Sequence, residues 1–225
     1  MEKKEFYENR SQGYTGYDKQ GWIRYQKSIN LAGLKSGCSV LDVGCKHAHL
    51  LDILCSEGIE CDYTGVDISE AVIESLVDKK GRFQVCDIMK PLPFGDGEFD
   101  FLFCLEVLEH VENPTLVLKE FYRVLKPGGV LMLSVPNVYN WLVFLGNILK
   151  MDANEGHIHS FTYRDMKTLL DFAGLKIEKR IGTYATLPYS LHGIKNGRYI
   201  MFKSNSLVLS SSHIYKISKK AEGSY

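Results

Sequence analysis

Short runs of Val, Ile, Leu and Phe recur along the 225-residue chain, spaced widely enough for a helix between each pair, and this rhythm restricts the fold more than any other feature. Strands separated by helix-length segments are βα units feeding a mainly parallel sheet, because a parallel return needs a crossover. Ser39 to Val43 predicts the first strand, and Leu50 to Leu54 the body of the helix after it. Asp62 to Asp67 is the second strand, after which Ser69 caps a helix running through Val77. Arg82 to Asp87 and Phe99 to Cys104 follow as strands, joined by a loop because Lys90 to Gly97 carries two prolines and two glycines. Pro114 to Leu125 has helical spacing, and Lys126-Pro127-Gly128-Gly129 stops it before the strand Val130 to Val135. Thr162 and Asp165 read as a capping box for a helix ending near Gly174, and Leu175 to Ile181 and His213 to Ser218 close the sheet.

The expectation is an α/β sandwich in one domain, 1–225. Residues 1–35 form a helical or irregular preface containing Tyr7, Tyr14, Tyr17 and Trp22, and 36–136 hold the repeating units. Two excursions fit no βα unit, 137–161 and 183–212, and long excursions in a compact domain tend to be lids over a site. Their aromatic residues, with Tyr139, Trp141, Phe144, Tyr163, Tyr184 and Tyr189 in or beside them, suit the wall of an apolar pocket, although core packing explains any one of them equally well.

Charge and cysteine usage exclude several function classes. Basic and acidic side chains balance at 27 each, so no global field favours nucleic acid. The six cysteines contain no C-x-x-C pair and mostly sit in apolar runs, the usage of reduced thiols in a cytoplasmic protein. Met1 to Glu8 has no apolar core of the kind a secretion signal needs, and no apolar stretch reaches membrane-spanning length. The nearest, Val138 to Leu149, is too short and contains Asn140 and Asn147, so a lid or surface helix is expected there.

Acidic residues mark the strand ends. Asp42 with Gly44, then Asp67, Asp87 and Glu106, all fall at or just past the carboxyl ends of successive strands, where open α/β sheets bind their ligands. One such aspartate would read as a helix cap, whereas three in succession point to a shared crevice. Gly44 lets the chain turn tightly into a helix without presenting a Cβ to a ligand.

This order of acidic strand end, glycine turn, helix, two further acidic strand ends and Leu125-Lys126-Pro127-Gly128-Gly129 before a strand resembles the class I S-adenosylmethionine-dependent methyltransferases. The resemblance spans about Ser39 to Asn137. Cys104-Leu105-Glu106-Val107-Leu108-Glu109-His110-Val111 and Arg123 to Gly129 look most like the ubiquinone-biosynthesis-type small-molecule methyltransferases. It implies a Rossmann-like, doubly wound, seven-stranded sheet, mostly parallel with an antiparallel last strand, which transfers a methyl group from S-adenosyl-L-methionine to an oxygen or nitrogen of a small-molecule acceptor. The implied cofactor-binding residues are Asp42, Gly44, Cys45, Lys46, Asp67, Ile68, Asp87, Ile88, Cys104 and Glu106. Asp67 would hold the ribose hydroxyls and Asp87 the adenine amino group, with Ile68 and Ile88 flanking the ring, while Asp42 would orient the turn and the cofactor's ammonium. Where the family's turn reads Asp-x-Gly-x-Gly-x-Gly, Lys46 and Ala48 replace the second and third glycines. Lysine is excluded there if φ must be positive and its side chain must point away from the ligand. A fold that binds cofactor without turnover is therefore the alternative. A nicotinamide dehydrogenase is disfavoured, because its Gly-x-Gly-x-x-Gly turn would need glycine at Lys46 and His49.

Glu106 and His110 are the candidate catalytic residues. With Glu109 they lie at i, i+3 and i+4 and would share one face of a helical turn. The similar Glu-x-x-Glu-His cluster is associated with divalent metal in the ubiquinone-type enzymes, but Leu-Glu-His-Val also recurs in methyltransferases without metal, so a capping and packing role is expected here and no metal. His157 and His159, at i and i+2, suit two ligands or one base at the crevice rim, with a structural role expected in the absence of a third clustered ligand. His47 and His49 sit in the glycine turn and are expected to face solvent.

Overall fold

The computed structural model describes residues 19–141, 156–188 and 199–220. Tyr7, Tyr14 and Tyr17 of the preface, Phe144, Tyr189 and most of the helix expected over Val138 to Leu149 lie outside the described residues.

The elements are α1 (Lys19–Ala32), β1 (Cys38–Val43), α2 (His49–Ser56), β2 (Cys61–Asp67), α3 (Glu70–Glu74), β3 (Arg82–Val85), β4 (Phe99–Leu105), α4 (Pro114–Val124), β5 (Leu125–Pro136), α5 (Tyr163–Phe172), β6 (Leu175–Gly182), β7 (Tyr184–Pro188), β8 (Tyr199–Lys203) and β9 (Ser212–Lys219). Seven strands form one sheet in the order β3-β2-β1-β4-β5-β9-β6. β1 pairs in parallel with β2 and β4, β2 with β3, and β4 with β5. β9 runs antiparallel to both β5 and β6, so the last strand alone is reversed, as the family resemblance implied.

Alternation along the strands sorts the core into two layers. Leu41, Val43, Leu102, Cys104, Leu131, Leu133 and Tyr215 point to one face, where they pack with Val117, Phe121, Met166 and Leu170 of α4 and α5. Val40, Phe103, Met132 and Ile214 point to the other, against Tyr25 and Ile29 of α1 and Leu50, Ile53 and Leu54 of α2. Buried on both faces, the central strands carry the near-continuous apolar runs that first marked them as parallel.

Local signals set most of the boundaries. The Asn113 side chain caps α4 by accepting from Leu116 N at 3.1 Å, with Pro114 at the first helical position. Thr162 and Asp165 form the reciprocal capping box of α5, which ends ahead of Gly174 in the left-handed region at φ 76°. The loop between β3 and β4 is held from α4. Arg123 donates to the carbonyls of Phe94 at 2.7 Å and Leu92 at 3.0 Å and pairs with Asp96 and Glu120.

Three boundaries differ from the sequence expectation. α3 stops at Glu74 rather than continuing through Val77, because the Ser75 hydroxyl folds back onto Val72 O at 2.7 Å and Val77 is left exposed. Lys126 to Gly129 does not stand between helix and strand: Leu125 already pairs with Phe99, and the register resumes at Phe101 and Val130, so the four residues bulge out of a strand in progress. The excursion 183–212 contains a β-hairpin, β7 with β8, where no strands were expected.

Candidate active site

The carboxyl ends of β1, β2, β3 and β4 lie side by side, and the turns leaving them form the candidate site. The turn after β1 is built against β2. Gly44 N and Cys45 N both donate to Val66 O, at 2.8 and 3.1 Å. Gly44 has φ 72°, and a Cβ there would stand 2.5 Å from a methyl of Val107, so glycine is required twice over. Lys46 and Ala48 are left-handed too, at φ 46° and 55°. The two positions where the family pattern has glycine thus keep a glycine-like backbone under ordinary side chains, at a strain of roughly 1 kcal/mol each. Lys46 is exposed, whereas Ala48 and Cys45 are buried.

Asp67 ties this turn to the next. Its Oδ2 accepts from Lys46 N at 3.1 Å and its Oδ1 from Ser69 N at 3.0 Å. A carboxylate has about four lone-pair sites, so two main-chain donors leave acceptor capacity on a half-buried group. Asp87, past the end of β3, places Oδ1 3.0 Å from Met89 N, with Ile68 and Ile88 half-buried at the same strand ends. Asp42 stands beneath the turn rather than in the crevice: it is 1 % exposed and accepts from the Tyr63 hydroxyl at 2.6 Å. Burial pushes its carboxyl up to about 7, the tyrosine bond opposing and Asp67 adding to the rise. Burial likewise pushes up the thiols of Cys45 and Cys104, and both residues are fully enclosed, main chain included.

The region after β4 is arranged differently from the expected helical face. Only Leu108–His110 forms a single 3-10 turn, and Glu106 precedes it at φ 59°. The left-handed backbone swings Glu106 across the strand ends, where its carboxylate accepts from Ser134 Oγ at 2.9 Å and Ser212 Oγ at 3.3 Å. Arg24 of α1 reaches it at 3.9 Å. Arg24 was missed at the sequence level, and its one signal was a basic residue beside Trp22 and Tyr25 in an otherwise apolar-striped preface helix.

Glu109 turns the other way and is fully buried, with neither carboxylate oxygen hydrogen-bonded. Burial holds its carboxyl well above the usual range, with Glu106 adding to the rise and Arg24 and Lys46 opposing it. Segment 156–159 closes on it: Ile158 N and His159 N donate to Glu109 O at 3.0 and 3.1 Å, and His110 Nδ1 meets Gly156 O at 3.0 Å. His157 Nε2 comes within 3.8 Å of Glu109 Oε1, and its ring centroid lies 4.8 Å from that of His110. Glu109, His110 and His157 therefore converge, and Glu106 does not join them. His159 stacks on Phe161, while His47 and His49 lie 5.7 Å apart at the glycine turn, with His49 also 3.7 Å from Asp52. Of the aromatic set, Tyr184 is buried and bonds Gln20, while Tyr139 and Tyr163 are exposed. Among the described residues no helix is long and apolar enough to cross a membrane.

Comparison with known proteins agrees with this arrangement. A probable S-adenosylmethionine-dependent methyltransferase of Mycolicibacterium smegmatis is 26% identical over 169 residues, 72% of this chain and 62% of that protein. The ubiquinone biosynthesis O-methyltransferase of Dechloromonas aromatica is 37% identical over 126 residues, 52% of this chain and 49% of that one. The chain thus spans 62% and 49% of the length of these two relatives. A solved S-adenosylmethionine-dependent methyltransferase from Archaeoglobus fulgidus superposes with a TM-score of 0.65 over 97% of this chain and 100% of that one, at 18% identity, a likeness of fold. The family described as "Methyltransferase domain" matches residues 17–180, and the chain belongs to that family.

Proposed function

We propose that the chain transfers a methyl group from S-adenosyl-L-methionine to an oxygen or nitrogen nucleophile of a small molecule. The observation that carries the reading is the pair of half-buried carboxylates, Asp67 and Asp87, at neighbouring strand ends beside a left-handed turn, in a chain of the methyltransferase family. The cofactor supplies an electrophilic methyl on a sulfonium, so the protein's task is alignment and the handling of one proton.

Asp67 accepts from the ribose hydroxyls with the capacity its two main-chain bonds leave, and Asp87 accepts from the adenine amino group. Ile68 and Ile88 flank the ring, and Gly44, with no Cβ, admits the methionine portion. Asp42 acts from below, by bracing the turn through Tyr63. Lys46 and Arg24 provide positive potential for the cofactor carboxylate from two sides, an assignment supported by the influence both exert on Glu109. Because the turn keeps its left-handed geometry at Lys46 and Ala48, these replacements do not favour the degenerate, non-catalytic alternative.

Glu106 and His110 stand on the acceptor side. Glu106 is fixed by Ser134 and Ser212 and is the group placed to take the acceptor's proton; His110 is oriented by Gly156. The excursions 137–161 and 183–212 serve as the lid that selects the acceptor. The likeness to ubiquinone-type O-methyltransferases supports an oxygen acceptor. Titration calorimetry with S-adenosylmethionine and with its demethylated product tests the reading. Binding in the micromolar range supports it, and no heat at millimolar ligand overturns it. A screen of hydroxylated and amino metabolites then identifies the acceptor by its added methyl.

A further inference from the structure

The metal associated with the ubiquinone-type Glu-x-x-Glu-His cluster can be tested against these side chains, and as a set Glu106, Glu109 and His110 do not fit it. Glu106 is turned away by its left-handed backbone, and Ser134 and Ser212 occupy its carboxylate. A different third residue has come in. One ligand atom from each of Glu109, His110 and His157 can be chosen so that all lie within 4.8 Å of one another. We infer that this chain builds a Glu-His-His divalent-metal site from Glu109, His110 and His157, selective for zinc and similar transition ions over magnesium.

An independent observation points to a ligand there. Both oxygens of Glu109 are buried without a hydrogen-bond partner, although the side chain is fully enclosed. Enclosing a carboxyl with no donor is costly, and a divalent cation among the three side chains would satisfy it. The surroundings are those of a metal site. When His110 Nδ1 carries its proton toward Gly156 O, its Nε2 presents a lone pair in the tautomer a metal needs, with the carbonyl as the outer partner that fixes the ring. The two main-chain donations from Ile158 and His159 to Glu109 O hold His157 in place from across the fold. Zinc–nitrogen and zinc–oxygen bonds of about 2.0–2.2 Å bring ligand atoms to roughly 3.5 Å apart, so the side chains close by about 1 Å on loading.

The donor set decides the ion. Two imidazole nitrogens and one carboxylate suit zinc or its first-row neighbours, whereas magnesium takes oxygen almost exclusively. His110 is then a ligand, which leaves Glu106 as the proton acceptor of the proposed reaction.

Metal binding is measured without methyl donor or acceptor, so its outcome is separate from that of the methyl-transfer reading. The full chain, stripped with chelator and dialysed, is titrated calorimetrically with zinc chloride and with magnesium chloride, and cobalt(II) loading is followed by visible absorption. One zinc site at micromolar or tighter affinity, weak magnesium binding and ligand-field bands of low-coordinate cobalt are expected. His157→Ala and Glu109→Gln should weaken zinc by at least about a hundredfold, beyond the usual effect of losing an outer-shell partner. Glu106→Gln should change it by less than about threefold, as it supplies no ligand. Absence of a zinc site, zinc affinity unchanged in His157→Ala, or Glu106→Gln as damaging as Glu109→Gln would each overturn the assignment. Should Glu109→Gln fail to fold by circular dichroism, His157→Ala decides, since its side chain is partly exposed.

Discussion

The turns that leave β1 and β4 face each other across the candidate site and solve the same problem in opposite ways. Both use left-handed residues that are not glycine, Lys46 and Ala48 in one and Glu106 in the other. After β1, polar groups are satisfied by the one neighbouring strand β2: Gly44 and Cys45 share Val66 O, Lys46 N reaches Asp67, and buried Asp42 has Tyr63. After β4, Glu106 draws on β5, β9 and α1, and Glu109 has no hydrogen-bond partner for either oxygen. One turn is completed by a single adjacent strand and suits a preformed cofactor cradle. The other is completed by distant segments and by whatever it binds, which is where strain and unsatisfied polarity tend to gather in enzymes. The two also touch, since Gly44 packs beneath Val107.

That contact gives the largest expected effect. Gly44→Val places a branched side chain at φ 72° and into a Val107 methyl, and should cost about 4 kcal/mol from strain and overpacking together. Urea denaturation measures it. Val107→Ala in the same chain should recover part of the loss, and complete additivity of the two changes would mean that the turns are not coupled.

Next is Asp67→Asn, which keeps one acceptor oxygen but loses the charge and one of the two main-chain bonds, from Lys46 N or Ser69 N. Affinity for the demethylated cofactor should fall about a hundredfold, close to 2.7 kcal/mol, while the lost main-chain bond lowers stability by only about 1 kcal/mol. A drop in stability with cofactor affinity retained would make Asp67 a structural tie alone.

A third effect separates the turns by pH. Asp42 has a folded pKa near 7, above its unfolded value, so the stability it contributes is full below the unfolded pKa and is lost as pH rises through 7. Relative to Asp42→Asn, whose amide oxygen still accepts from Tyr63, the wild type should lose roughly 2 kcal/mol between pH 5 and pH 8. Parallel melting curves for the two proteins across that range would show that Asp42 is ionised throughout.

The smallest effect sharpens the comparison most. Lys46→Gly exchanges a strained lysine for the family's glycine, and strain relief should nearly balance the entropy glycine adds to the unfolded chain, for a net change under about 1 kcal/mol. The informative readout is the charge. If Lys46 helps hold the cofactor carboxylate, affinity for the demethylated cofactor should fall severalfold in the glycine variant, and the loss should shrink at high salt.

Much of this was legible in the chain because the signals are local. The apolar runs that placed β1, β4 and β5, the capping box at Thr162 and Asp165 and the Ser69 cap depend on neighbours a few residues away. α3 ran shorter than expected because a serine hydroxyl competed for its carbonyl, and the β7–β8 hairpin was missed because ten residues separate its strands, so the Asn196-Gly197 turn signal was not tied to two adjoining apolar runs. In the site, acidic strand ends could be read from order and spacing, but Arg24 could not, because its contact with Glu106 joins the preface to the middle of the sheet.

The sequence by itself determined βα units feeding a mainly parallel sheet and the strand ends where a ligand would lie, because hydrophobic period and strand-end chemistry are written in consecutive residues; the double winding and the reversed last strand came from the family resemblance. Tertiary structure alone decided which side chains meet after β4. Glu106, Glu109 and His110 look equivalent on a helical repeat, yet one left-handed residue sends Glu106 to Ser134 and Ser212, and a segment 46 residues on brings His157 to Glu109 and His110. A backbone dihedral and a long-range closure decide that partition, and neither leaves a mark in local spacing.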